Sequence, residues 1–162
     1  MAKQNTEFEL YGAGLYFEDL PVGRRFRTAG RTITEADLVA FVNCTGLTGE
    51  MFTNIEFLKT QSAIKGRPVP GNLSYCLCEG FGVQGPTRNT GLALLEVDIK
   101  FLNPVFVGDT IYLQSEVIEA RESRGRKNAG LVRFRNQVVK EDGTVVILYM
   151  PLRMMKRRNP GQ

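Results

Sequence analysis

The chain has 162 residues, 43% of them hydrophobic, with 21 Lys and Arg against 17 Asp and Glu. That is enough for one domain with its own core and is an ordinary globular composition. No apolar run approaches the roughly 20 residues of a membrane helix, and the opening MAKQNTEFELYG lacks the apolar segment of a signal peptide, so the expected compartment is the cytoplasm. Much of the formal charge of +4 comes from residues 123–128 (SRGRKN) and from Lys156, Arg157 and Arg158. Neither stretch carries interleaved aromatics or a nucleic-acid motif, and they read as a solvated loop and a frayed tail.

Residues 1–14 show no pattern and are expected to form an arm, followed by a single domain over 15–156 and a basic tail over 157–162. FEDLPVG (17–23) reads as a turn launching a first strand over 24–33. Thr34 is a good N-cap, Glu35 and Asp37 sit in the positive first turn, and Leu38, Phe41 and Val42 follow at helical spacing, so a helix is expected to run to Gly46. Residues 47–53 read as a loop with two exposed apolar residues, Met51 and Phe52, and a short helix begins at Thr53 or Asn54.

Residues 68–83, PVPGNLSYCLCEGFGV, organise the rest. A Pro-Gly start, an apolar run with almost no polar face and a Gly-Phe-Gly finish predict a short helix near 72–79, buried on nearly all sides. Asn72 or Gly71 would stand at its N-cap, and Gly80 or Gly82 would close it. The three cysteines, Cys44, Cys76 and Cys78, read as buried hydrophobes. Cys76 and Cys78 would face different ways on a helix, which makes them a poor metal pair, and no metal or cofactor is expected.

Everything downstream reads as strand: 95–101, where Leu95, Val97, Ile99 and Phe101 alternate with charged residues as in a half-buried strand, then 110–120, 129–140 and 144–154. Val132, Phe134, Asn136 and Val138 share one face of the third, and Asp142-Gly143 is a strong hairpin signal. The last strand is apolar on both faces, which places it centrally or at a subunit interface. The expected class is α+β, a curved antiparallel sheet wrapped around one buried helix in the hotdog arrangement. An ordinary α+β core helix without functional role fits the same apolar pattern.

With these elements placed, about three quarters of the chain resembles the MaoC-like family of R-specific enoyl-CoA hydratases. FEDLPVG followed by TITEADLVAFVNCTG is similar to the family's opening. FLNPVFVGDTIYLQSEV is similar to its strand-corner-strand signature, with Phe101, Pro104, Val105, Gly108 and Asp109 at matching positions. The resemblance implies a bound acyl-CoA or other acyl thioester, with coenzyme A and an acyl carrier protein both open as carriers. It also implies a homodimer or a heteromer with a related chain, while the composition and motifs lead to no expected nucleic-acid or membrane partner. The basic 123–128 loop would attract the phosphates of coenzyme A.

Family members hydrate a trans-2-enoyl thioester with an aspartate and a histidine on one loop, while an amide at the start of the buried helix polarises the carbonyl. Aligned without a gap on Gly46 and Glu56-Phe57, this sequence has Leu47 at the aspartate position and Phe52 at the histidine position. Pro70 stands where many members have a second histidine. The chain contains no histidine at all. Gly71 retains a backbone amide for a carbonyl oxygen, and Phe52, Gly71 and Asn72 are the candidate substrate-binding residues.

Glu50 in the loop and Glu79 in the buried helix are the two carboxylates that could replace the dyad; their plain readings are a solvated loop carboxylate and a satisfied or helix-end glutamate. An unpaired carboxylate in that helix would have a raised pKa. Three functions follow: a non-catalytic acyl-CoA-binding subunit, an active (de)hydratase with altered chemistry, or a hotdog thioesterase using Glu50 or Glu79.

Overall fold

In the computed structural model, Gly12 and residues 14–158 are described. Most of the expected arm, and residues 159–162 of the tail, lie outside them. The first strand is two short pieces, β1 (Arg25–Arg27) and β2 (Arg31–Thr32), rather than one run. Both pair with β4 (Thr110–Glu122), but Arg27 faces Gln114 and Arg31 faces Ile111, so one strand spends an extra residue against the other. Such a mismatch breaks a ladder by bulging.

Helix α1 (Glu35–Thr45) forms as its caps predict. The Thr34 side chain accepts from the Asp37 amide, the Asp37 carboxylate accepts from the Thr34 amide, and Gly46 closes the helix at φ 72°. The stretch expected as a loop contains a single helical turn, α2 (Glu50–Thr53), and α3 (Ile55–Thr60) starts at the Asn54 cap. Met51 and Phe52 are half-buried rather than exposed, with Phe52 packed on the core.

The organising helix, α4 (Gly71–Gln84), is longer than expected: it passes through Gly80 and Gly82 and ends at Gly85, with Pro70 at its N-cap. Glycine weakens a helix interior by only about 1 kcal/mol, which packing against the sheet outweighs. Only Leu73, Ser74 and Cys78 of α4 are buried, so the helix is covered on its sheet side and open on the other. Cys44 and Cys76 are exposed, and only Cys78 behaves as the buried hydrophobe expected of all three.

The sheet is antiparallel, in the order β1-β4-β5-β6-β3, with β3 over Gly91–Phe101, β5 over Ala129–Lys140 and β6 over Val145–Lys156. Its inner face carries Ile111, Leu113, Val138, Ile147 and Tyr149, which pack with Leu73 and Cys78 of α4 in the main core. Along β5, Val132, Phe134, Asn136 and Val138 are buried while Arg133, Arg135 and Gln137 are not, the alternation read from the sequence. β6 is central, as its apolar faces require, and Asp142-Gly143 forms the β5–β6 hairpin with Gly143 at φ 85°.

β3 departs from expectation. Among the described residues it is an edge strand paired only with β6, and all but one of its residues are exposed, Leu94, Leu95, Val97 and Phe101 included. The tail is not frayed at its start either: Arg157 bonds to Glu18 and Glu122, and Arg158 forks onto Asp19 at 2.6 and 2.7 Å. No helix among the described residues is long and apolar enough to cross a membrane.

Candidate thioester-binding site at the start of the central helix

Three segments meet where α4 begins. Arg67 donates to both carboxylate oxygens of Glu35 on α1 at 2.6–3.1 Å and to the Phe52 carbonyl at 2.7 Å. One guanidinium thus ties α1 and the 47–54 segment to the residues leading into α4. The Val69 amide donates to the Val105 carbonyl and the Val107 amide to the Arg67 carbonyl, both at 2.9 Å, which fixes that lead-in against the 103–109 corner. The corner is itself shaped by Asp109, which accepts from the Phe106 amide at 2.8 Å, and by Gly108 at φ 96°.

A cavity of about 330 Å³ lies between the helix start and this corner, and Gly71, Ser74, Phe101, Val105 and Ile147 are among the residues that line it. Proline offers no side-chain cap, so the first amides of α4 have no capping partner from Pro70. The N–H groups at the start of a helix have no intrahelical acceptor and carry the positive end of the dipole. A carbonyl oxygen is the natural ligand for such a place. The Phe101 ring lies against Gly71: a Cβ built there would stand 2.6 Å from Phe101 Cδ1. Glycine at 71 therefore lets the Phe101 ring approach the backbone closely.

Of the residues singled out in the sequence, Gly71 lines this cavity, while Asn72 points outward as an exposed residue. Leu47 is 40% exposed, and the Phe52 side chain packs into the core. Neither side chain can donate or accept a proton. Glu50 is exposed at the start of α2 and accepts from Asn54 at 3.2 Å.

Glu79 is not the unpaired carboxylate weighed from the sequence. It forms an ion pair with Arg153 of β6, the two side chains being 19% and 12% exposed. Sequence periodicity alone does not reveal a partner 74 positions away on another strand. Glu79 is also eight residues along α4 from Gly71, about 12 Å at 1.5 Å per residue, too far for both to act on one thioester.

Around Glu79 lies a buried polar row, Ser115, Asn136 and Tyr149, each opposite the next across β4, β5 and β6, with Ser115 donating to Asn136 Oδ1 at 2.6 Å. Burial, and then the Glu79 charge, raise the pKa values of the Tyr149 hydroxyl and the Cys78 thiol, the latter to about 12. Both stay protonated at neutral pH. Sequence reasoning missed Ser74, which shares the cavity with Gly71. Its place three residues after Gly71 on a helix was the available signal.

Among the described residues no group of His, Cys, Asp and Glu is arranged to hold a metal. A helix start without a side-chain cap, set against a curved antiparallel sheet, defines a hotdog chain, and the fold is that of the MaoC-like dehydratases and R-hydratases. A monoamine oxidase regulatory protein from Archaeoglobus fulgidus superposes with a TM-score of 0.79 at 25% identity, covering 91% of this chain and 97% of its own. A MaoC domain protein dehydratase from Chloroflexus aurantiacus superposes with a TM-score of 0.86 at 24% identity, over 96% of this chain but 44% of its own.

In sequence, the chain is 26% identical over 149 residues to a β-methylmalyl-CoA dehydratase of the same organism, matching 91% of this chain. It spans 42% of that relative's length. A Mycobacterium tuberculosis protein described as a double hotdog is matched over 46% of its length, with a TM-score of 0.80 at 21% identity. No protein-family model matches the sequence.

Proposed function

We propose that this chain is a MaoC-like acyl-CoA-binding protein of the hydratase/dehydratase family that lacks the usual hydratase chemistry and serves as a non-catalytic subunit, in the cytoplasm. The observation that carries the reading is a helix start with no side-chain cap at a mainly apolar cavity, in a chain without histidine; the resemblance puts Leu47 and Phe52 at the dyad positions. The Gly71 amide receives the thioester carbonyl. Neither the Leu47 nor the Phe52 side chain can activate water.

The exposed apolar edge strand β3 supports pairing with a second copy or a related chain, since a long unpaired edge is a template for another strand. The relatives of about twice this length are consistent with such a pairing, one of them being described as a double hotdog. The reading is tested by incubating the purified chain with saturated and trans-2-enoyl-CoA thioesters while following hydration and free thiol. Saturable binding with neither product is expected. Hydration or thiol release that disappears in Glu50→Gln would instead make the chain a lyase or a thioesterase.

A further inference from the structure

We infer that the Ser74 hydroxyl is a second hydrogen-bond donor to the acyl carbonyl oxygen received by the Gly71 amide. The inference rests on the thioester reading above and adds a side chain to a site so far made of backbone. Ser74 is 0% exposed, and its hydroxyl has no hydrogen-bond partner among the described residues. A buried hydroxyl without a partner costs stability, and such groups are rare enough in native proteins that each asks for a reason. Here the surroundings offer one.

Ser74 follows Gly71 by three residues, so the two share a helix face, and both line the cavity between α4 and the 103–109 corner. The other walls are mainly apolar, Val69, Val105 and Ile147 among them; Asn103 carries the one acceptor side chain, its amide nitrogen donates to the Val145 carbonyl, and the Ser74 hydroxyl makes no hydrogen bond to it. A carbonyl oxygen has two lone pairs and accepts from two donors at once. A thioester oxygen at the Gly71 amide thus satisfies both the helix start and the orphaned hydroxyl. Phe101 lines the same cavity with its ring on Gly71; it is 49% exposed at the end of the free edge strand, placed to swing aside as ligand enters.

Two ligands that differ only in the carbonyl separate this role from a structural one: butyryl-CoA, a thioester, and S-butyl-CoA, its thioether. The wild-type chain should bind the thioester more tightly. Ser74→Ala should weaken thioester binding about 3- to 10-fold and leave thioether binding within about 2-fold, the range of one hydrogen bond. The same variant should melt no lower than wild type, because it removes an unpartnered buried polar group. Ser74→Cys, close in size and a weak donor, should fall between the two, and it carries the test if the alanine variant does not fold.

An unchanged thioester-to-thioether ratio in both variants would overturn the role of Ser74 while leaving the binding reading intact. A lower melting temperature with equal weakening of both ligands would assign Ser74 to structure. Wild-type protein that binds neither ligand would overturn the binding reading, and this inference with it.

Discussion

At Gly71 the proposed binding role rests on the absence of a side chain. A methyl group there would collide with the half-exposed Phe101 ring, which can turn away, but it would also stand where a ligand approaches the amide. Gly71→Ala should therefore lower acyl-CoA affinity by tenfold or more, about 1.4 kcal/mol, with a smaller change in melting temperature; calorimetric titration and a thermal scan check both. Glu79 belongs to a different account. Its pair with Arg153 is mostly shielded from water, between the exposed pairs worth about 0–1 kcal/mol and the buried ones that cost about 3–5 kcal/mol to break. Glu79→Gln should destabilise the fold by about 1–3 kcal/mol in urea unfolding while leaving thioester binding at Gly71 nearly unchanged.

Among the elements, the turn over Phe17–Asp19 and the segment that follows β6 are joined by charge. Hydrogen bonds from Arg158 hold the Asp19 carboxyl below its ordinary value of 3.8, and they clamp the C-terminal segment onto the turn over Phe17–Asp19. A carboxylate whose pKa is lower folded than unfolded stabilises the fold fully above the unfolded value. That contribution fades as pH falls below 3.8 and is lost once pH passes the folded value. The difference in melting temperature between wild type and Asp19→Asn should thus be present at pH 6 and shrink as pH drops below about 4. For β3, a charge on the open edge should oppose strand pairing: Val97→Lys should shift sedimentation toward the protomer if a second chain docks there.

The whole fold was legible in the sequence to the extent that local patterns decide it. The Thr34 cap, the alternation along β5, the Asp142-Gly143 turn and the apolar faces of β6 each specify their element without help from distant residues. What was not legible depends on pairing across the molecule. β3 reads as half-buried because its pattern is that of a strand with one face covered, yet its place at the sheet edge leaves it open. The exposed thiols of Cys44 and Cys76, the Arg153 partner of Glu79 and the salt bridges of the tail are likewise set by tertiary neighbours. The site divided in the same way: Gly71 was readable from its Pro-Gly context, whereas Ser74 drew attention only once its hydroxyl proved buried and alone.

The central claim is that the chain holds an enoyl thioester without hydrating it. Titration of the purified chain with crotonyl-CoA, followed by product analysis of the same sample, tests it most directly. The predicted result is a saturable binding signal, weakened in Gly71→Ala, with crotonyl-CoA recovered unchanged at the rate of buffer alone. Conversion to the hydroxyacyl thioester by wild-type protein, abolished in Glu50→Gln, would contradict it.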